Sequence, residues 1–195
     1  LRGAASEKNI SIFVRGAASE LARTWSAMQS NVITAILVIF LLLVILLKSF
    51  SMPLIILLVV PVASTGGIAA LALLNQFIKQ PLDMLTMLGF VILTGIVVNN
   101  AILLVEQTIL QVKEEGMQIY DAIVEATRNR IRPIFMSTLT SLFGLVPLVI
   151  FPGAGSELYR GIGVVVFGGL ALSTFATLLI VPPLLSVFSK SFQKN

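Results

Sequence analysis

Two adjacent amides, Asn99 and Asn100, lie past the midpoint of MLTMLGFVILTGIVVNNAILLVE (84–106), a run long enough to cross a bilayer. An unpaired primary amide is costly in hydrocarbon, so such residues face a helix partner, a water-filled cavity or an ion path. Asn99 and Glu106 are seven residues apart and share nearly one helix face, with Gly95 one turn earlier opening space beside it. That face is expected to look into the protein. Farther along, Arg130 approaches the membrane from the inner side, and Ser137, Thr138, Thr140 and Ser141 follow one to three turns deeper. Ser137, Ser141 and Gly144 share a face by their spacing. An arginine, two amides and a ladder of hydroxyls can order water and stabilise a nearby carboxylate, which are the components of a proton relay. The acid itself is missing: Asp83 and Glu106 sit at span ends, so a coupling carboxylate has to come from elsewhere. Plainer roles compete, because membrane hydroxyls bond back to their own helix and an arginine at an inner edge anchors topology.

Other chemistries are closed. The chain has no cysteine and no histidine, which removes thiolate chemistry, the commonest metal ligand and the commonest general base. No cofactor is implied. An intramembrane enzyme would need paired acids or a nucleophile with its base, and neither occurs in mid-span.

The elements that must position these residues follow from hydropathy. Of 195 residues 57% are hydrophobic and 11% charged, against about a quarter charged in soluble domains, and the mean hydropathy is +1.02. The expected fold is an all-α membrane protein of five transmembrane helices, at about 31–47, 54–74, 84–105, 134–151 and 161–185. The polar stretch 108–130, with apolar Ile119, Ala122, Ile123 and Ala126 at helical spacing, is expected to form an amphipathic helix on the inner face. Residues 1–30 precede the membrane region 31–188, and 189–195 form an inner tail. The net charge of +4 does not point to nucleic acid, because the basic residues lie at membrane edges. With the first span running inward, the inner segments hold seven (Lys48, Lys113, Arg128, Arg130, Arg132, Lys190, Lys194) and the outer loops two (Lys79, Arg160). The four basic residues before the first span belong, on this orientation, to a larger external domain that is translocated regardless of charge. The chain opens on Leu1, and an internal start is expected.

Local signals refine the spans. Trp25 is expected at the outer interface, and Pro53 at the entrance of the second span after the tight turn KSFSMP. Ser64, Thr65, Gly66, Gly67, Ala69 and Ala70 are small enough to let helix backbones approach. Asp83 is expected to cap the third span, Pro133 to precede the fourth, and Pro182 and Pro183 to end or kink the fifth. RGAASE occurs at 2–7 and again at 15–20; its period of 13 fits no solenoid unit, and it carries no functional argument.

Read in order, GFVILTGIVVNNAILLVEQ, EATRNRIRPIFMSTLTSLFGLVPLVIFPGAGSELYRGIGVVVFGGL and LIVPPLL resemble the C-terminal membrane region of resistance-nodulation-division (RND) efflux pumps, nearest to the hydrophobic and amphiphilic multidrug branch. The likeness extends from about Val14 to Phe188. It implies a proton-driven exporter in the bacterial inner membrane, normally a homotrimer, with twelve spans in two repeats and large periplasmic porter domains. The five spans here would be the eighth to the twelfth, and residues 1–30 the end of a periplasmic porter segment and its descending helix, with the C-terminus cytoplasmic. Implied partners are the N-terminal half of the same transporter, a periplasmic adaptor, an outer-membrane channel, small-molecule substrates and the lipid bilayer. In the family a paired aspartate on the fourth span takes the proton, and a lysine commonly occupies the position of Asn99. Asparagine stands there instead, and a neutral amide cannot swing as a counter-cation toward aspartate. Asn100, Arg130, Ser137 and Thr138 match the family pattern, so the resemblance implies a proton path lined by Asn99, Asn100, Arg130, Ser137 and Thr138. The alternative of a different class is a non-transporting membrane scaffold or an assembly or sensor module, in which the same polar groups are interhelical glue.

Overall fold

The computed structural model describes residues 30–80, 82–151 and 156–188, and among them every regular element is a helix. The porter segment and Trp25 expected in residues 1–29, and the tail with Lys190 and Lys194, lie outside the described residues. Five stretches are long and apolar enough to cross a membrane: Ser30–Leu47, Ser51–Asn75, Met84–Lys113, Ile119–Ile150 and Leu158–Val187. The first is helix α1. Its residues 30–39 belong to a unit of their own, a helical stretch in which Thr34 Oγ1 donates to the Ser30 carbonyl at 2.8 Å. Everything after residue 39 forms the second unit.

Lys48, at a φ of 49°, turns the chain after α1. The next span is two helices in series, α2 (Ser51–Leu57) and α3 (Val59–Asn75). The interruption falls where Pro61 requires it: proline has no N–H for the Leu57 carbonyl, and its ring crowds that carbonyl. Helix α4 (Met84–Lys113) starts on Asp83, whose carboxylate accepts from the Thr86 N–H at 2.8 Å and from its hydroxyl at 2.6 Å. This is the expected N-cap, satisfying one of the free amides of the first turn.

The structure divides the segment 108–130 that the polarity pattern assigned to one amphipathic helix. Residues 108–113 complete α4, a turn follows, and 119–130 begin α5 (Ile119–Ile150), which continues unbroken into the membrane. The division occurs at Gly116, whose φ of 65° is the left-handed conformation that glycine adopts without strain. Pro133 lies inside α5, as does Pro147, so the helix that carries the fourth span does not begin at a proline. The N–H missing at Pro133 frees only the Asn129 carbonyl, in the polar N-terminal part of α5. Helix α6 (Ser156–Val187) likewise runs through Pro182 and Pro183.

At about 1.5 Å per residue the 30 residues of α4 and the 32 of α5 extend roughly 45 Å and 48 Å, well beyond about 30 Å of hydrocarbon. Their polar ends, joined by the turn after Lys113, therefore project beyond the hydrocarbon on one side as a helical hairpin.

Helix α6 is the centre of the unit and packs against α3, α4 and α5. Against α3 the approach is backbone to backbone: a Cβ on Gly66 would lie 2.7 Å from the Gly168 carbonyl oxygen, and a Cβ on Gly168 2.6 Å from that of Gly66. Close approach of this kind maximises dispersion contact where hydrophobicity cannot drive association. Around it Ala63, Leu93, Val97, Val165 and Leu170 are fully or nearly fully buried. On the α5 side, Phe135 and Phe175 meet edge to face with ring centres 6.1 Å apart.

Candidate functional site: polar groups on two uncovered helix faces

Helix α4 has a packed side and a bare side. Leu93, Val97, Asn100 and Leu104 fall on one arc and are buried. Leu88, Ile92, Gly95, Asn99, Glu106 and Leu110 fall on another and are exposed, and a Cβ added to Gly95 would meet nothing within 4 Å. Adjacent residues on a helix point about 100° apart, so the structure separates the amide pair, with Asn99 on the bare arc and Asn100 on the packed one. Neither amide has a hydrogen-bond partner among the described residues. The face expected to look into the protein is thus one that the described part of this chain leaves uncovered.

The membrane portion of α5 repeats the pattern. Met136, Ser137, Thr140, Ser141, Gly144 and Pro147 are exposed, and nothing lies within 4 Å of a Cβ added at Gly144. The Ser137 hydroxyl donates to the Ile134 carbonyl at 3.0 Å, and that of Thr140 to the Met136 carbonyl at 2.8 Å. Both protons are spent on the helix itself, which leaves these two oxygens as acceptors, whereas Ser141 on the same face makes no such bond among the described residues and keeps its O–H as a donor. Thr138 points elsewhere. It is buried, with Oγ1 2.9 Å from Thr174 Oγ1 on α6.

Arg130 is half-buried in the hairpin, where Nη2 donates to Gln107 Oε1 at 3.0 Å and ties α5 to α4. Its Nε is buried without a partner. The structure therefore joins Arg130 to Gln107 and Thr138 to Thr174, two partners that the sequence reading did not single out. Gln107 follows Glu106 directly and was overshadowed by it. Thr174 had a signal, since Ser173, Thr174 and Thr177 interrupt the apolar run of α6, but a hydroxyl that bonds back to its own helix leaves the same trace in a sequence.

As chemistry, the bare faces offer an amide that can donate and accept, hydroxyl oxygens in a row, and an arginine at the hairpin end. Such groups can hold a file of water and stabilise an ionised carboxylate brought against them. Among the described residues the carboxylates lie elsewhere: Asp83 caps the start of α4, Glu106, Glu114, Glu115, Asp121 and Glu125 lie toward or in the hairpin that joins α4 to α5, and Glu157 belongs to the first turn of α6.

The sequence matches the AcrB/AcrD/AcrF family over residues 7–189. Among individual proteins it is 36% identical over 173 residues to the multidrug resistance protein MdtC of Erwinia tasmaniensis, an alignment covering 87% of this chain and 16% of that protein. With MdtC of Pectobacterium carotovorum it shares 34% over 181 residues, covering 91% and 17% respectively. With MdtC of Salmonella paratyphi A it shares 35% over 175 residues, covering 90% and 17%. The chain spans about a sixth of the length of the curated relatives it matches.

Proposed function

We propose that this chain, which belongs to the AcrB/AcrD/AcrF family of RND multidrug efflux transporters, supplies part of the proton-coupling helices of an exporter of hydrophobic or amphiphilic compounds. The carrying observation is the mid-span amide of Asn99, set on an uncovered face of α4 beside Gly95 and without a hydrogen-bond partner among the described residues. A polar group so placed in a membrane calls for a polar partner from outside the described residues. In this reading the N-terminal half of the same transporter covers the bare faces of α4 and α5 and brings the mid-membrane acid that this chain lacks.

Asn99, Asn100, Arg130 and Ser137 then line the proton path, with Thr138 beside it. Asn99 stabilises the ionised acid by donating its N–H groups rather than by carrying charge, Ser137 accepts from ordered water, and Arg130 sets a positive potential at the inner entrance. The transporter works in the bacterial inner membrane as a homotrimer, with a periplasmic adaptor and an outer-membrane channel. The segment before α1 is periplasmic and the C-terminus cytoplasmic. The packing of the small residues argues against the scaffold alternative. Gly66 and Gly168 are consumed inside the unit, so they present no free association surface to an outside partner.

Replacing Asn99 with leucine in the full-length transporter tests the assignment. Drug resistance is expected to disappear while the amount of protein in the membrane stays at the wild-type level; full resistance in that variant removes Asn99 from the path. Arg130→Ala is expected to impair proton-coupled transport in vesicles, and unchanged coupling would reduce Arg130 to a topological anchor.

A further inference from the structure

One hydroxyl on α5 differs from the others. Ser64, Thr94, Ser137, Thr140 and Ser173 each donate to a carbonyl three or four residues earlier in their own helix, at 2.8–3.0 Å. Thr138 reaches across to α6, where its Oγ1 lies 2.9 Å from Thr174 Oγ1. The two residues are 4% and 2% exposed. Thr174 Oγ1 in turn donates to the Leu170 carbonyl at 2.8 Å. A hydroxyl has one proton to give, so with Thr174 donating to the Leu170 carbonyl, which also accepts from Ser173, it is Thr138 that donates across the pair, a contact in which either oxygen can be the donor by geometry. The carbonyl at the end of this chain cannot hand a proton onward. The Thr138 hydroxyl is therefore suited to orienting a helix and unsuited to conducting. The Ile134 carbonyl, four residues back, accepts from Ser137 instead.

We infer that Thr174 is a positioning residue for the proton path. By holding Thr138 it fixes the rotation of α5 about its axis, and so aims Ser137, the next residue back and about 100° round the helix, at the uncovered side with its lone pairs outward. The inference rests on the proton-path reading above. Valine at 174 keeps the shape of threonine and removes the acceptor, which leaves a buried Thr138 hydroxyl without its partner. The neighbouring contact of Phe135 with Phe175 is untouched by that change, so the effect on packing is small.

The experiment compares Thr174→Val, Thr174→Ser, Thr138→Val and the double valine variant in the full-length transporter. It measures membrane abundance, substrate export and protons moved per substrate in vesicles. Thr174→Val is expected to lower coupled export roughly threefold to tenfold, the range set by interhelical hydrogen bonds in membranes. It should also lower the protons-per-substrate ratio at undiminished abundance. Thr174→Ser, which keeps the hydroxyl, is expected to restore both, and the double variant to be no worse than either single one, as two members of one bond should be. A wild-type ratio in Thr174→Val, a loss that serine does not rescue, or additive losses in the double variant would each overturn the inference. Coupling that survives both Asn99→Leu and Arg130→Ala defeats the proton-path reading and takes this inference with it. Coupling lost in those two variants but intact in Thr174→Val defeats this inference alone.

Discussion

The glycines of α3 and α6 and those of α4 and α5 have opposite surroundings. Gly66 and Gly168 press carbonyl against Cα, with no room for a methyl group on either, whereas Gly95 and Gly144 have nothing within 4 Å of where a Cβ would stand. Burial follows the same division, with 56% of an apolar 18-residue stretch of α6 buried and 11% of the corresponding stretch of α5. One residue type thus does two jobs. In the packed half it lets backbones touch, and in the bare half it keeps the surface beside a polar group free for something to approach. Of the membrane-embedded polar groups assigned to the proton path, Asn99 and Ser137 sit on the bare side and Asn100 on the packed side, as does Thr138 beside the path.

The comparison can be broken at several points, in descending order of effect. Gly66→Leu puts a branched side chain against the Gly168 carbonyl and Leu172, both 2.7 Å from the first added carbon. Overpacking of well-filled sites costs about 1–3 kcal/mol and more where backbone must move, and here it must. Near-complete loss of the full-length protein from the membrane fraction is expected on immunoblots, and normal amounts would show that the α3–α6 contact is not close-packed. Asp83→Ala removes the α4 cap and should cost about 1 kcal/mol, seen as a lower thermal midpoint in detergent, with Asp83→Ser recovering most of the loss. Gly144→Ala should leave abundance and thermal midpoint within about 1 kcal/mol of wild type, with the sign favouring alanine because it is the better helix former. If Gly144→Ala instead destabilises the isolated unit as strongly as Gly66→Leu does, the bare face of α5 is not bare.

Much of this was legible in the sequence because bilayer thickness sets a length that hydropathy can find, and the five spans, the Asp83 cap and the small-residue stripe of the second span followed from it. Two failures came from weighing breakers wrongly. Pro133 reads as the entrance of the fourth span, yet α5 passes through it, because the turns before it already form helix and one missing N–H frees a single carbonyl. Gly116 was passed over because the charge pattern on either side is continuous, although only its left-handed φ lets α4 stop and α5 begin. The candidate site was half legible. Helical geometry fixes that Asn99 and Asn100 diverge by about 100°, but which of them is covered depends on where α6 lies, and no local pattern states that. The Thr138 to Thr174 bond joins residues 36 positions apart, a pairing that periodicity within one helix cannot supply.

The most direct test sets the two sides of α4 against each other. Substrate-driven proton movement would be measured in proteoliposomes carrying full-length transporter with Asn99→Leu on the bare face, or with Thr94→Val on the packed face, where the native hydroxyl only bonds back to Phe90. The account predicts that Asn99→Leu abolishes proton movement and that Thr94→Val retains it, at equal protein per vesicle. Proton movement at the wild-type rate in Asn99→Leu would contradict it.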